Sequence, residues 1–203
     1  MRIIGGTAKG VRLASVPRRG VRPTLDRVRE SVFNVLAPRL PGASFLDLFA
    51  GTGAIGLEAA SRGARRVRLV ERHPAQLDLI RQNAMRAKLQ GQIEVRRGDV
   101  LRGGAPFQGE AWDLVYLDPP FQIFEGAKSR AGLSKMIRTQ LMPACSPDAW
   151  ILVEQPVRAV FEPGAPADRW LRYGETAIAL LTVEIGPEPR PVDPEEAAPP
   201  EES

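Results

Sequence analysis

Cysteine and histidine are nearly absent from the chain, with one of each, Cys145 and His73, in 203 residues. That scarcity excludes an internal disulfide, a zinc site built from several thiolates and a histidine-rich metal centre. Long apolar runs are missing too. None approaches the roughly 20 residues needed to cross a bilayer, and Met1 is followed by RIIGGTAKG, whose apolar pair is too short for the core of a secretory signal. A cytoplasmic protein is expected. The length suits one domain with a small appendage rather than two ordinary domains, no internal repeat is visible, and a monomer is expected.

Charge is present in quantity but unevenly. The formal net charge is +4, yet residues 187–203, PEPRPVDPEEAAPPEES, hold six acids against one arginine. Residues 1–40 hold nine cations (Arg2, Lys9, Arg12, Arg18, Arg19, Arg22, Arg27, Arg29, Arg39) against Asp26 and Glu30. Concentrated positive charge suits a phosphate-rich partner as well as a solvated basic face. The acidic tail is rich in proline and poor in apolar residues, so disorder is expected there.

Three regions follow. Residues 1–40 read as a basic appendage: short strands around a glycine turn in RIIGGTAKGVRLASVP, then a helix in RPTLDRVRESVFNVL. In that helix Leu25, Val28, Val32 and Leu36 recur at spacings of three and four, Thr24 is a candidate N-cap and Pro38 ends the segment. Residues 41–186 alternate apolar runs (SFLDLFA, RVRLVE, IEVRRGD, WDLVYLD, WILVEQ) with helical ones, and end in a hairpin-like WLRYGETAIALLTVEI. Residues 187–203 are the tail. The alternation predicts an α/β, Rossmann-like fold: a mostly parallel seven-stranded sheet with an antiparallel C-terminal hairpin and helices on both faces.

The first strand leads into GTGAIG at 51–56, a glycine loop between strand and helix. Alone it reads as a dinucleotide fingerprint. Asp47, four residues before Gly51, argues otherwise, because a carboxylate on that strand repels a pyrophosphate and suits a ligand with a cationic end. S-adenosylmethionine has an ammonium group and a sulfonium centre, together with a ribose and an adenine. Glu71 ends the second strand, where such folds hold ribose hydroxyls. Asp99 ends the third, placed to accept from an adenine amino group with the Val100 backbone nearby, and Asp118 ends the fourth. Each acid alone could be a helix cap; together with the glycine loop they mark a ligand crevice. His73, ahead of Pro74, reads as a helix start.

The fourth apolar run closes with YLDPPF. Proline has no N–H, so Pro119 and Pro120 offer carbonyls without adjacent donors and stiffen the loop. Asp118 and the Pro119 carbonyl then form a pair of fixed acceptors for the two hydrogens of an exocyclic amine. Holding both favours a more tetrahedral nitrogen and exposes its lone pair, while Phe121 stacks on the base. Positioning and desolvation do most of the work, because a sulfonium is already an activated leaving group.

FLDLFAGTGAIGLEAASRGA, VERHPAQLDLIRQNA and VYLDPPF resemble class I S-adenosylmethionine-dependent methyltransferases that act on exocyclic amines. With RIIGGTAKGVRL and RPTLDRVRESVFNVL added, residues 1–186 resemble the RsmD family, which methylates N2 of a guanine in bacterial 16S ribosomal RNA. The resemblance implies S-adenosyl-L-methionine contacts at Asp47, Ala50, Gly51, Gly53, Glu71, Arg72, Asp99, Val100 and Thr24. It implies catalysis at Asp118, Pro119, Pro120 and Phe121. It implies a nucleic-acid surface at Lys9, Arg12, Arg22 and Arg27, with the small ribosomal subunit or its assembly intermediate as partner. No metal is implied.

Three rivals remain. A DNA adenine N6-methyltransferase also uses an Asp/Asn-Pro-Pro-aromatic loop but needs a target-recognition region for which this chain has little length. A nicotinamide-dependent dehydrogenase lacks its catalytic residues and conflicts with Asp47. A non-catalytic ribosome-assembly factor would leave the intact DPPF unexplained.

Overall fold

The computed structural model of the chain describes residues 1–15, 26–102, 106–109, 111–159 and 161–184. The elements run α1 (Asp26–Leu36), β1 (Ser44–Leu48), α2 (Ala54–Ser61), β2 (Arg66–Glu71), α3 (Pro74–Ala87), β3 (Ile93–Arg97), β4 (Trp112–Leu117), α4 (Gln122–Glu125), α5 (Ala127–Met136), β5 (Cys145–Pro156), β6 (Arg169–Tyr173) and β7 (Thr176–Thr182). Between α5 and β5 the chain passes through a π-helical turn, Ile137–Leu141, and a 3-10 turn, Met142–Ala144, in which Pro143 ends the helical run.

The seven strands lie in the order β3-β2-β1-β4-β5-β7-β6. The first five are parallel, whereas β7 runs antiparallel between β5 and β6. Central β1, SFLDL, is buried along its whole length. Both faces are therefore covered, as an all-parallel centre requires. One face carries α1, α2, α3 and residues 1–15; the other carries α4, α5 and the π-helical turn. Among the described residues no helix is long and apolar enough to cross a membrane.

The α1 stripe lies where the spacing puts it: Val28, Val32 and Leu36 are buried, with Phe33 beside them, stacked on Phe45 of β1. Each such side chain contributes about 1.5–3 kcal/mol on burial. The expected short strands before α1 reduce to a single antiparallel bridge between Arg2 and Arg12, because the segment pairs mainly with helices instead. The Ile4 and Gly5 N–H groups donate to the buried Glu58 carboxylate at 2.7 and 2.8 Å, and Ala8 N–H donates to Ser61 Oγ at 2.9 Å. Glu58 also receives Arg62 Nε at 2.7 Å, so its buried charge is paired.

His73 is the N-cap of α3 with Pro74 in its first turn. The candidate N-cap Thr24, with Leu25 and Arg22, lies outside the described residues, as does the tail from Pro187.

Candidate active site

Strand register brings the acids together. Asp47 of β1 pairs with Leu69 of β2 and Tyr116 of β4, and Tyr116 pairs with Leu152 of β5. Side chains alternate along a strand, so Asp47, Glu71, Tyr116, Asp118 and Glu154 share one face near the carboxyl ends of four adjacent strands. This is the edge where open α/β sheets bind ligands. Asp118 N–H donates to Leu48 O at 3.3 Å, which carries the β1–β4 pairing one residue past the end of β4.

The glycine loop is shaped by left-handed backbone. Phe49 (φ 66°), Gly51 (φ 56°) and Gly53 (φ 79°) all adopt it, which for Phe49 is a strained conformation of the kind concentrated at functional sites. A Cβ on Gly53 would meet Ile80 and Leu69 at 3.1–3.2 Å, and one on Gly56 would lie 2.8 Å from Leu69, so the loop and α2 sit directly against β2 and α3. The acids hold this shape. Gly56 N–H, in the first turn of α2, donates to Asp47 Oδ2 at 2.9 Å. Gly51 N–H donates to Glu71 Oε2 at 3.0 Å, while Arg72 and His73 N–H donate to Glu71 Oε1 at 2.8 and 2.9 Å. Ala50, half-buried, donates to Val70 O at 3.0 Å. Asp47 and Glu71 thus organise the loop with part of their acceptor capacity.

The other positions are spread along the same edge. Asp99 stands two residues beyond β3 rather than on it, accepting from Leu101 N–H at 3.1 Å in a side-chain turn. The Arg72 guanidinium lies 3.9 Å from its second oxygen, and the Val100 side chain is buried. After Asp118, Pro119 is buried, Pro120 O accepts from Ile123 N–H at 2.9 Å, and Phe121 leads into α4 with 42% of its surface exposed. An aromatic ring left in solvent beside a half-buried acid is available for stacking.

Electrostatics single out the centre. Burial, opposed by the Gly56 hydrogen bond and helped by neighbouring Glu71, pushes the Asp47 carboxyl up to about 7. Burial, then Glu154, then Asp47 hold the Asp118 carboxyl well above the ordinary carboxylate range. Glu154 accepts the Tyr116 hydroxyl; burial raises its carboxyl and that bond works against the rise. Among the described residues no arginine or lysine nitrogen lies within ion-pair distance of Asp47, Asp118 or Glu154, and no three His, Cys, Asp or Glu side chains form a metal-binding group.

The basic segment is less uniform than its composition. Lys9, Arg12 and Arg27 are exposed, but Arg29 is buried and donates to Arg2 O at 2.6 Å. Arg39 stacks over Trp150 and donates to Asp148 O near the opposite end of the sheet. Helix packing, invisible to a charge count, makes this division.

Glu154, Tyr116 and Asn83 are the residues sequence reasoning did not assign to the site. For Glu154 the signal was there, since WILVEQ also closes an apolar run with an acid. An open cavity of about 490 Å³ near the amino ends of β4 and β5 is lined by Gln108, Thr139, Pro143 and Cys145 among others. Burial pushes the Cys145 thiol up to about 12, which leaves it a poor nucleophile near neutral pH.

Residues 1–181 match the family model described as Conserved hypothetical protein 95. The chain is 41% identical over 122 residues to Ribosomal RNA small subunit methyltransferase D of Escherichia coli (strain K12), an alignment covering 60% of this chain and 61% of that relative. The solved structure of the Escherichia coli protein yhhF superposes with a TM-score of 0.74 at 33% identity, covering 92% of this chain and 99% of that one. An RNA methyltransferase from Salinibacter ruber, solved with S-adenosyl-L-homocysteine, shares the fold with a TM-score of 0.61 at 20% identity, covering 85% of this chain and 98% of that one. With the family model matched from residue 1 to residue 181, the chain belongs to the family of RsmD-type rRNA methyltransferases.

Proposed function

We infer that the protein transfers a methyl group from S-adenosyl-L-methionine to the exocyclic N2 of a guanine in small-subunit (16S) ribosomal RNA. The observation that carries this reading is Asp118: a half-buried acid just past the end of β4, with no cation in ion-pair reach among the described residues, followed by two residues that lack N–H donors. A nucleobase amine needs acceptors and no competing donors, and this loop has that composition.

The residues fit the cofactor. Backbone of the left-handed glycine loop lies beside Asp47 and Glu71, two acids suited to a cationic end and to ribose hydroxyls, and Asp99 with Val100 suits an adenine edge. Bound there, S-adenosyl-L-methionine supplies a methyl group on a good leaving group. Asp118 and the Pro119 carbonyl accept the two amine hydrogens, and Phe121 stacks on the base, which then shields the half-buried acid from water. Asp118 takes the proton the amine loses once it is methylated. Lys9, Arg12, Arg22 and Arg27 bind RNA phosphates and offset the cost of unstacking the base, a few kcal/mol. We assign the small subunit or its assembly intermediate as partner, no metal, a monomeric enzyme and a cytoplasmic location. Residues 1–40 form the RNA-binding appendage, 41–186 the catalytic domain and 187–203 a disordered tail.

The test is transfer of labelled methyl to small subunits that lack the modification, followed by identification of the nucleoside. N2-methylguanosine supports the reading. Label only in DNA as N6-methyladenine, or cofactor binding without transfer to any nucleic acid, overturns it.

A further inference from the structure

Leu117 of β4 pairs with Val153 of β5, so the next residues, Asp118 and Glu154, stand side by side across the two strands. Neighbouring strands lie about 4.8 Å apart, and both side chains are on the face carrying Tyr116, whose hydroxyl donates to Glu154. Glu154 is 5% exposed, it follows the apolar run Trp150–Val153 on β5, and its β7 partner is Ile178. An acid there is costly unless it is used, because Leu or Val would fill the position with no desolvation penalty.

The charged and titratable groups around it come from three strands and two helices. β4 contributes Tyr116 and Asp118, β1 contributes Asp47 and β2 contributes Glu71. The buried charges of α1 and α2 are Arg29 and Glu58, and both make bonds to the N-terminal segment, at Arg2 O and at the Ile4 and Gly5 N–H groups. Two carboxylates this close, one buried and one half-buried, do not both ionise readily; they titrate as a pair.

We propose that Glu154, held by the Tyr116 hydroxyl, is a positioning residue for methyl transfer, whose charge decides whether Asp118 meets the incoming amine as a carboxylate. The proposal rests on the reading of Asp118 as the amine acceptor. Only an ionised Asp118 accepts without competing as a donor, and only that form takes the proton the nitrogen gives up. With Glu154 charged, Asp118 ionises late, and the rate falls on the acid side. With Glu154 neutral, Asp118 ionises earlier.

Single-turnover methyl transfer, with saturating S-adenosyl-L-methionine and small subunits, is followed across pH in the full chain and in Glu154→Gln, whose amide still accepts the Tyr116 hydroxyl. The acid limb of the rate profile moves to lower pH by about one unit, which is about a tenfold gain in relative rate at a pH on that limb. A limb that stays in place while the whole profile scales down overturns the proposal, since a packing role would do that. If Glu154→Gln does not fold, calorimetry on Asp47→Asn, which removes the other acid that titrates near neutrality, in buffers of differing ionisation enthalpy counts protons released on ligand binding. Release with cationic S-adenosyl-L-methionine and less with S-adenosyl-L-homocysteine, a neutral thioether, supports the proton-sharing pair; no release with either overturns it. Ligand binding with normal proton release but no transfer to RNA contradicts the assigned reaction instead, so the two failures are distinct.

Discussion

Asn83 of α3 clasps Ala14: its Oδ1 accepts the Ala14 N–H at 2.8 Å and its Nδ2 donates to the Ala14 carbonyl at 3.0 Å. The same Nδ2 donates to Thr52 O at 3.1 Å, inside the glycine loop. One fully buried amide therefore ties the basic N-terminal segment to the cofactor loop. Asn83→Leu removes all three bonds and strands backbone groups, so a loss of about 1–3 kcal/mol is expected in urea denaturation. Faster amide exchange at Ala14 and weaker S-adenosyl-L-methionine binding accompany it; unchanged exchange there would show that the clasp does not hold the segment.

Asp118→Ala leaves the glycine loop, Asp47 and Glu71 in place. Calorimetric affinity for S-adenosyl-L-methionine stays within a few-fold, and methyl transfer falls by about 10²-fold or more. A parallel loss of binding would instead make Asp118 a cofactor ligand first.

Asp47 ties function to a stability cost. Its folded value near 7 exceeds the unfolded 3.8, so between those two pH values the folded state binds more protons. Stability falls as pH rises through that window, by a few kcal/mol at most. Asp47→Asn, whose amide oxygen still accepts the Gly56 N–H, removes the dependence. Compared by denaturant melts, the variant gains on the parent between about pH 4 and pH 8, and its affinity for the cationic cofactor drops. Parallel stability curves for the two proteins would contradict this.

Charge reversal of Lys9 and Arg12, both exposed, weakens RNA binding broadly. The slope of log affinity against log salt shrinks by just under one for each phosphate that is no longer neutralised. Reversal of Arg39, near the far end of the sheet beside Trp150, leaves that slope unchanged.

Much of the molecule is legible in the sequence alone. Local chemistry announces the parallel strands, the helix start at His73-Pro74 and the strand-end acids Asp47, Glu71 and Asp118, because each depends on near neighbours in the chain. Pairing across distance does not. Nothing near Glu154 says that Tyr116 bonds it, 38 residues away. Asn83 sits in a helix where it reads as an ordinary polar residue, yet its partners are 69 and 31 residues distant. Arg29 counts as a surface cation until α1 is packed and turns it inward. The roles of Thr24 and Arg22 fall outside the described residues.

The place of β7 bears on how the chain is made. Because β7 inserts between β5 and β6, β5 has no partner on that side until Thr176–Thr182 has been synthesised. During translation its apolar stretch WILV presents an open hydrogen-bonding edge, the kind of surface that pairs with other nascent chains. The sheet is completed only once β7 has emerged, so premature termination ahead of β7 yields an aggregation-prone fragment rather than a smaller working domain.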